Sequence, residues 1–292
     1  MKYYILFNPL AASGSCENKL ESLSINKDTN QVFYDITSNN YENLISNLEN
    51  DDKIIICGGD GTINRFINAT EGMKIKNDIL YFAAGSGNDF AKDIGVLETC
   101  DPIKINDYIE NLPLVTINNK KYRFLNGIGF GIDGYCCQEV NRLRRETGKE
   151  VHYVPIALKG LFKYYTPTNA EIMVDGKKFF YSRVWMATSM KGRYFGGGIK
   201  IAPDQDRFAS DGKITFLAAH NMSRFRILTV FPSIFKGTHP KYTQYVDIHK
   251  GYEVAVKFDR PTPLQIDGET IENVTEYSVC VPLVKAFNPK PV

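Results

Sequence analysis

The sequence predicts two domains of different class, an α/β domain followed by a mostly antiparallel β domain. In the first third, short strand-type runs alternate with apolar residues at helical spacing, which is typical of a parallel sheet covered by helices. From about Leu114 strand-type runs dominate, and Asp175-Gly176 is a typical hairpin turn. This change of pattern places the domain boundary after residue 115. The tail, 284–292, is expected to return to the first domain, with Val284–Phe287 as a strand.

The composition indicates a packed protein without a strong charge bias. Hydrophobic residues are 43% of the chain and charged residues 23%, which is unlike a disordered chain. The net charge of +2 argues against nucleic acid as a partner. Six cysteines without C-x-x-C spacing favour a reduced, cytoplasmic protein. No apolar run approaches the ~18 residues of a membrane span, so membrane contact is expected to be peripheral.

Each predicted strand of the first domain stops at a polar or glycine-rich loop. In parallel sheets, ligands bind at the carboxyl ends of the strands, where Asn8, Gly58 and Gly85 fall. The expected strands are Tyr3–Phe7, Gln31–Tyr34, Lys53–Cys57 and Ile79–Ala83, with helices over Tyr41–Leu48, Thr62–Ala69 and Asn88–Ile94. In the second domain the expected strands are Tyr122–Asn126, Ala170–Val174, Phe179–Ser189, Lys213–Ala218, Tyr252–Phe258, Leu264–Asp267 and Tyr277–Pro282, with helices over Tyr135–Arg145, Tyr153–Tyr164 and Met222–Phe231.

The strongest local motif is Gly58-Gly59-Asp60-Gly61-Thr62, between a buried strand and a helix. Glycines let backbone N–H groups approach a ligand, and a helix N-terminus adds partial positive charge, so the motif predicts a phosphate cradle. Asp60 in its middle suits a ligand of Mg²⁺-bound water or a group that orders the loop. The alternative is a tight turn in which Asp60 caps the helix.

A second glycine loop, Gly85–Asp89, also lies between a predicted strand and a predicted helix, and the end of the first strand adds further polar residues. One such loop is weak, because Asn88 and Asp89 could simply cap a helix. Several loops at one sheet edge predict a nucleotide-phosphate site. Its further candidate residues are Asn8, Pro9, Ser13, Gly14, Gly85, Ser86, Gly87, Asn88 and Asp89.

Two later motifs need weighing. Gly129–Gly134 matches G-x-G-x-x-G, but no second strand with an acidic end follows, so we interpret it as structural glycines. Asp267, in Pro263–Thr270, is either a hairpin turn residue or, if it faces the nucleotide, a general base.

Taken in order, these motifs resemble one family over nearly the whole chain. The motifs are Asn8-Pro9…Ser13-Gly14, Gly58-Gly59-Asp60-Gly61-Thr62-x-Asn64, Gly85-x-Gly87-Asn88-Asp89-Phe90-Ala91, Phe124-Leu-Asn126-x-x-Gly129-x-Gly131-x-Asp133, Gly196-Gly-Gly198…Ala202-Pro203, Ser210-Asp211-Gly212 and Gln265-x-Asp267-Gly268-Glu269. The chain resembles bacterial lipid kinases of the diacylglycerol kinase catalytic-domain type, a group that includes sphingosine and ceramide kinases. NAD kinases share the Gly-Gly-Asp-Gly motif, but the Gly-Gly-Gly…Ala-Pro and Asp-Gly-Glu elements point to the lipid branch.

The resemblance implies a phosphofructokinase-like, ATP-binding α/β domain and a C-terminal β-sandwich domain for the lipid. It implies ATP and Mg²⁺ as cofactors, a role in phospholipid biosynthesis, and the catalytic residues Asp267, as general base, and Glu269. Asp60 and Asp89 carry over to the nucleotide phosphates and the catalytic Mg²⁺, and Asp211 to a structural Mg²⁺. Homodimers are common for such a fold. The acceptor is left open among diacylglycerol, a related glycerolipid, a sphingoid base and a prenol.

Two positions depart from the family pattern and keep alternatives open. Arg65 stands where an acidic residue is usual, and Leu114 and Val115 stand roughly where members with the fuller Mg²⁺ network carry an Asp. These two departures favour a nucleotide- or lipid-binding protein with weak catalysis. The aspartates that the chain shares with the family pattern argue against this alternative. A kinase of a soluble substrate, similar to NAD kinases, is the other alternative, and a Rossmann oxidoreductase is a distant third.

The segment Tyr153–Tyr165 mixes bulky apolar residues with lysines and follows several basic residues. Such a surface predicts docking to an anionic membrane, at the inner face in a cytoplasmic protein. A core helix with a solvated basic face explains the pattern equally well. The preceding basic residues are Arg142, Arg144, Arg145 and Lys149.

Overall fold

The computed structural model describes residues 1–8, 23, 25, 29–38, 40–85, 87–96, 101–148 and 151–282. The chain divides into two compact units, Met1–Glu110 (unit 1) and Asn111–Val292 (unit 2). Unit 1 is an α/β domain with a mostly parallel sheet, and unit 2 is an antiparallel β domain with helices. The fold class is therefore the predicted one.

Unit 1 has a five-stranded sheet in the order β2-β1-β3-β4-β5. The first four strands are parallel, and β5 pairs antiparallel with β4. The strands are β1 (Lys2–Phe7), β2 (Asn30–Asp35), β3 (Lys53–Gly58), β4 (Asp78–Ala83) and β5 (Ile103–Lys104). The helices are α1 (Tyr41–Ser46), α2 (Asp60–Ala69), α3 (Asp89–Asp93) and α4 (Asn106–Ile109).

The central strand β3 explains why this sheet is parallel and covered. Ile54, Ile55 and Ile56 are fully buried, so both faces of the strand contact apolar groups. Phe66 of α2 packs edge-on against Tyr41 of α1 on one side. Parallel pairing brings the carboxyl ends of β1, β3 and β4 to one edge, which positions the site described below.

Unit 2 is built on a ten-stranded sheet in which every recorded pairing is antiparallel. Its strands are β6 (Leu114–Ile117), β7 (Lys120–Arg123), β8 (Gly127–Gly131), β9 (Thr168–Val174), β10 (Lys177–Val184), β11 (Met186–Met190), β12 (Ile214–Ala219), β13 (Val246–Gly251), β14 (Glu253–Ile266) and β15 (Glu269–Cys280). The main path is β13-β12-β11-β8-β14-β15-β6-β7, and β9 and β10 branch from β14.

Each face of this sheet has its own apolar core. Phe130 stacks on Phe258 in the core formed by the strands. Trp185 and Leu217 belong to the second core, which the helices cover. Those helices are α5 (Ile132–Thr147), α6 (Tyr153–Lys159), a π-helical continuation (Gly160–Tyr164) and α7 (Arg224–Phe235).

Several predicted boundaries differ from the structure. The predicted strand Tyr122–Asn126 is wrong in its second half: β7 ends at Arg123 and β8 begins at Gly127. The boundary predicted after residue 115 falls inside β6, which pairs with β15 of unit 2. The two strands predicted over 252–267 are one strand, β14, whose register shifts near Thr262. The tail, 284–292, lies outside the described residues.

Candidate functional site

The loop between β3 and α2 forms the first part of the site. Gly58 ends the strand, Gly59 precedes the helix, and Asp60 is the first helical residue, two positions before the predicted start. The N–H groups of Thr62 and Ile63 donate to the carbonyl oxygen of Gly59, at 3.0 and 3.3 Å. Gly59, at the N-cap position, has no side chain, so no side chain from this position covers the first backbone N–H groups of α2.

The second loop, after β4, lies directly against the first. The N–H groups of Ala84 and Gly85 donate to the carbonyl oxygen of Gly58, at 2.9 and 3.1 Å. A Cβ atom on Gly85 would lie 2.4 Å from the Cα atom of Gly59, closer than any real contact. The two loops therefore meet backbone to backbone, and glycine is required at that point.

Asp60 joins the loops through its side chain. Its carboxylate oxygens accept hydrogen bonds from the backbone N–H groups of Asp89 (2.9 Å) and Phe90 (2.8 Å). Asp60 therefore caps α3, the neighbouring helix. This contact provides the loop-ordering role that the sequence proposed for Asp60 as one of two possibilities.

Asn88 adopts the left-handed conformation, with φ at 48°, and closes the second loop. Its side-chain amide donates to the carbonyl oxygen of Gly85, at 2.9 Å. The hydroxyl of Tyr81 donates to Asn88 Oδ1, at 3.2 Å. Burial, and next the charge of Asp60, raise the pKa of Tyr81 well above its usual range, so this hydroxyl keeps its proton. Tyr81 is a supporting residue that sequence analysis missed, because inside a strand it resembles any core aromatic.

Not every residue predicted for this site is described. Asn8 directly follows β1, and Gly87 is exposed beside Asn88. Pro9, Ser13, Gly14 and Ser86 lie outside the described residues. The structure brings together the candidates Gly58, Gly59, Asp60, Gly61, Thr62, Gly85, Asn88 and Asp89.

In unit 2, Asp267 occupies the turn between β14 and β15, with φ at 46°. Its carboxylate accepts hydrogen bonds from three consecutive backbone N–H groups, those of Leu125 (2.6 Å), Asn126 (2.8 Å) and Gly127 (3.0 Å). The Asp267 N–H group donates back to the carbonyl oxygen of Gly127, at 3.0 Å. The segment Leu125–Gly127 therefore holds this carboxylate in one position. We call this segment the Asp267 loop, because its N–H groups bind Asp267.

Asp175 is a structural counterpart of Asp267 within the same unit. It also starts an Asp-Gly turn with φ at 46°, between β9 and β10. Its carboxylate accepts the N–H groups of Tyr252 and Glu253, at 2.9 and 2.8 Å. The two aspartates share one structural role, which makes Asp175 a matched control for Asp267.

The remaining predicted acidic residues stand apart from these contacts. Glu269 is exposed at the start of β15. Asp211 is exposed in a turn, where its carboxylate accepts the Lys213 N–H group (3.2 Å) and lies 3.8 Å from Lys213 Nζ. In the part of the chain that the structure describes, no group of three or more His, Cys, Asp or Glu side chains could hold a metal ion. The Mg²⁺ role of Asp211 stays a prediction.

An apolar surface lies on the helices of unit 2. Val154, Leu158 and Phe162, four residues apart, are exposed, and Phe225 of α7 is 83% exposed. Arg224 donates to the carbonyl oxygens of Leu161 and Tyr165, at 2.6 and 3.1 Å, which joins α7 to the π-helical continuation. We call Val154, Leu158, Phe162, Tyr164 and Phe225 the apolar helix surface. None of the described helices is long and apolar enough to cross a membrane.

Comparison with known proteins gives this arrangement a family. Residues 2–116 match the diacylglycerol kinase catalytic domain, and residues 126–286 match the YegS C-terminal NAD kinase beta sandwich-like domain. A diacylglycerol kinase of Mycobacterium tuberculosis (strain ATCC 25618 / H37Rv) is 30% identical over 196 residues, which are 64% of this chain and 61% of that protein. The diacylglycerol kinase of Bacillus subtilis (strain 168) is 26% identical over 75% of this chain and 71% of its own length.

A solved structure extends the likeness to the whole fold. The crystal structure of a diacylglycerol kinase from Bacillus anthracis str. Sterne matches with a TM-score of 0.63 and 16% identity, over 100% of this chain and 98% of that one. The two matched domains lie in the order, and on the motifs, on which the sequence resemblance rests. The chain belongs to the family defined by the YegS C-terminal NAD kinase beta sandwich-like domain, which matches more than half of its length, and residues 2–116 are similar to the diacylglycerol kinase catalytic domain.

Proposed function

We propose that this protein is a lipid kinase that transfers the γ-phosphate of ATP to the hydroxyl group of diacylglycerol or a related lipid. The proposal rests on one observation: two glycine loops meet at the carboxyl edge of the parallel sheet of unit 1, and the carboxylate of Asp60 joins them. Backbone N–H groups and a helix N-terminus at such an edge suit a polyphosphate. Phosphoryl transfer depends mostly on positioning and charge stabilisation, for which such a loop suffices.

We assign the general base to Asp267. The lipid hydroxyl gives its proton to the carboxylate as its oxygen bonds to the γ-phosphorus, and the bond between that phosphorus and ADP breaks. Its three backbone hydrogen bonds support this assignment, because they fix the position of the carboxylate. Glu269, two residues further on, stays a predicted catalytic residue.

We assign the phosphate contacts to Gly58–Thr62 and Gly85–Asp89. Mg²⁺ that arrives with ATP supplies charge neutralisation at the phosphates. Nucleotide-bound Mg²⁺ needs only one or two protein carboxylates, and Asp60 and Asp89 are the acidic residues at the junction of the loops. These two residues are therefore the proposed metal contacts.

The acceptor lies in a bilayer, and we propose that the apolar helix surface contacts it. Segments 151–170 and 212–246 contain no Asp or Glu, whereas both carry lysine or arginine. Exposed Lys159 and Lys163 flank the apolar residues, and basic charge favours an anionic lipid surface. Arg142 is a weaker candidate than expected, because Glu139 and Glu146 pair with it at 2.9 and 2.8 Å.

The test is transfer of label from [γ-³²P]ATP to a panel of diacylglycerol, monoacylglycerol, a sphingoid base, a prenol and NAD. We expect an organic-extractable product from a glycerolipid. Asp267→Asn should lower turnover by about 10²–10⁴-fold while ATP still binds. Asp175→Asn, which disturbs an equivalent turn, should keep near wild-type turnover.

Three outcomes contradict parts of this proposal. Label found only in NAD would favour a kinase of a soluble substrate. ATP binding without transfer to any acceptor would favour a binding protein. Equal turnover in Asp267→Asn and Asp175→Asn would remove the assignment of the general base.

A further inference from the structure

Arg207 is a buried cation that no motif singled out. It lies between β11 and β12 and is 7% exposed. Its guanidinium donates to the carbonyl oxygen of Leu125 (3.2 Å) and to Asn126 Oδ1 (2.8 Å). Both acceptors belong to the Asp267 loop, whose N–H groups hold the Asp267 carboxylate. A buried arginine is uncommon unless its hydrogen bonds are used, and here they converge on this loop.

The connection between the two side chains runs through a single peptide group. The carbonyl of Leu125 and the N–H group of Asn126 belong to the same peptide. Arg207 binds its oxygen, and Asp267 Oδ1 accepts its hydrogen at 2.8 Å. A cation on the carbonyl polarises the peptide and strengthens the N–H group as a donor, since hydrogen bonds in a chain reinforce one another at low dielectric.

The next peptide group has the same arrangement. Its carbonyl, that of Asn126, accepts the N–H groups of Lys191 (2.8 Å) and Gly192 (3.0 Å). Its N–H group, that of Gly127, donates to Asp267 Oδ1 at 3.0 Å. Both donors to this oxygen therefore belong to peptides that are themselves hydrogen-bonded at the carbonyl. Of these three donors to the two carbonyls, Arg207 is the one that acts through a charged side chain.

We infer that Arg207 is a positioning residue for the reaction: it holds and polarises the Asp267 loop, and so fixes the carboxylate that takes the proton of the lipid hydroxyl. This inference rests on the proposed function of Asp267. It predicts an effect on turnover, because a misplaced base slows proton transfer, and little effect on ATP binding, because the two hydrogen bonds of Arg207 described above act on Leu125 and Asn126 of unit 2.

The experiment compares Arg207→Ala, Arg207→Lys and Asp267→Asn with the wild-type chain, using a short-chain lipid acceptor. Arg207→Ala should lower kcat by about 10–100-fold with an unchanged KM for ATP. Low millimolar guanidinium should restore part of the loss, because it refills the space and the two hydrogen bonds. NaCl at the same ionic strength should restore nothing. Arg207→Lys, which keeps the charge but has a single donor atom in place of the two that the guanidinium uses, should lie between Arg207→Ala and the wild type.

A matched variant separates positioning from loss of folding. Arg183→Gln removes another arginine of unit 2 that donates to a carbonyl, that of Met222 at 2.7 Å, and should leave kcat unchanged. If Arg207→Ala does not fold, Arg207→Lys carries the test through its kcat at unchanged KM.

The outcomes are distinct. Wild-type kcat in Arg207→Lys and Arg207→Ala, or a loss that follows only the folded fraction, overturns the inference. Normal turnover in Asp267→Asn overturns the assignment of Asp267 as the general base and, with it, the role of Arg207. A wild-type chain that phosphorylates no lipid overturns the proposed function as a whole.

Discussion

Asp133 should make the stability of unit 2 depend on pH in an unusual direction. This residue lies in the first turn of α5 and is 5% exposed. Thr188 Oγ1 donates to its Oδ2 atom at 3.3 Å, whereas its Oδ1 atom has no hydrogen-bond partner among the described residues. Burial raises the pKa of Asp133 to about 7, from 3.8 in an exposed aspartate. A glycine at 129 leaves room for this carboxyl group, since a Cβ atom there would lie 2.3 Å from Oδ2.

The sign follows from the proton that the folded chain retains. Between about pH 4 and pH 7 the folded state binds a proton at Asp133 that the unfolded state has released. Stability from this group is therefore fully present below pH 4 and is lost as the pH rises toward 7. The slope is about 1.4 kcal/mol per pH unit, so the loss between pH 5 and pH 7 is about 2 kcal/mol.

The perturbation is Asp133→Asn, which keeps the shape and cannot ionise. The assay is urea unfolding at pH 5, 6, 7 and 8, followed by the fluorescence of Trp185. This is the only tryptophan in the sequence and is buried in unit 2, so it reports that unit alone. The free energy of unfolding of the variant, relative to wild type, should rise by about 2 kcal/mol from pH 5 to pH 7. The same pH dependence in both proteins would refute the reasoning.

Three further predictions concern the proposed sites. Gly85→Ala should weaken ATP binding about 5- to 150-fold, because its methyl group forces the backbone away from Gly59 at a cost of about 1–3 kcal/mol; unchanged binding would contradict the close approach. Tyr81→Phe should lower stability by about 1 kcal/mol in thermal unfolding and raise the KM for ATP, through the lost hydrogen bond to the second loop; an unchanged KM would separate this bond from the site. Phe225→Ser should reduce co-sedimentation with phosphatidylglycerol vesicles, whereas Phe180→Ser, a 74% exposed phenylalanine on β10, should not; equal effects would exclude a specific surface.

The general architecture could be predicted because it depends on local patterns. Apolar runs that stop at glycines, such as Lys53–Gly58 before Gly59, mark strand ends in any parallel sheet. The convergence of the first two glycine loops followed from one rule, that parallel strands end at the same edge. The boundaries of β7 and β8 could not be predicted, because Phe124 and Leu125 are as apolar as the residues of a buried strand. The turn between the two strands is held by Asp267 and Arg207, which are distant in the sequence.

The contacts around Asp267 lie beyond local patterns. Its partners are Leu125–Gly127, about 140 positions earlier, and pairing across a sheet is decided by the whole fold. Arg207 carries no signal of its own, since the sequence does not distinguish a buried arginine from an exposed one. The burial of Asp133 is hidden for the same reason: an aspartate at a helix start is usually a solvated cap.

The bridge that Asp60 makes between two loops has a consequence for unfolding. It joins residues 29 and 30 positions apart, so the proposed phosphate cradle forms only when β3, β4 and both following helices have assembled. Any nucleotide that binds the cradle therefore binds the intact parallel sheet and not a fragment of it. By mass action, the melting temperature of the whole unit should rise with nucleotide concentration, and a thermal shift without any acceptor lipid would report donor binding by itself.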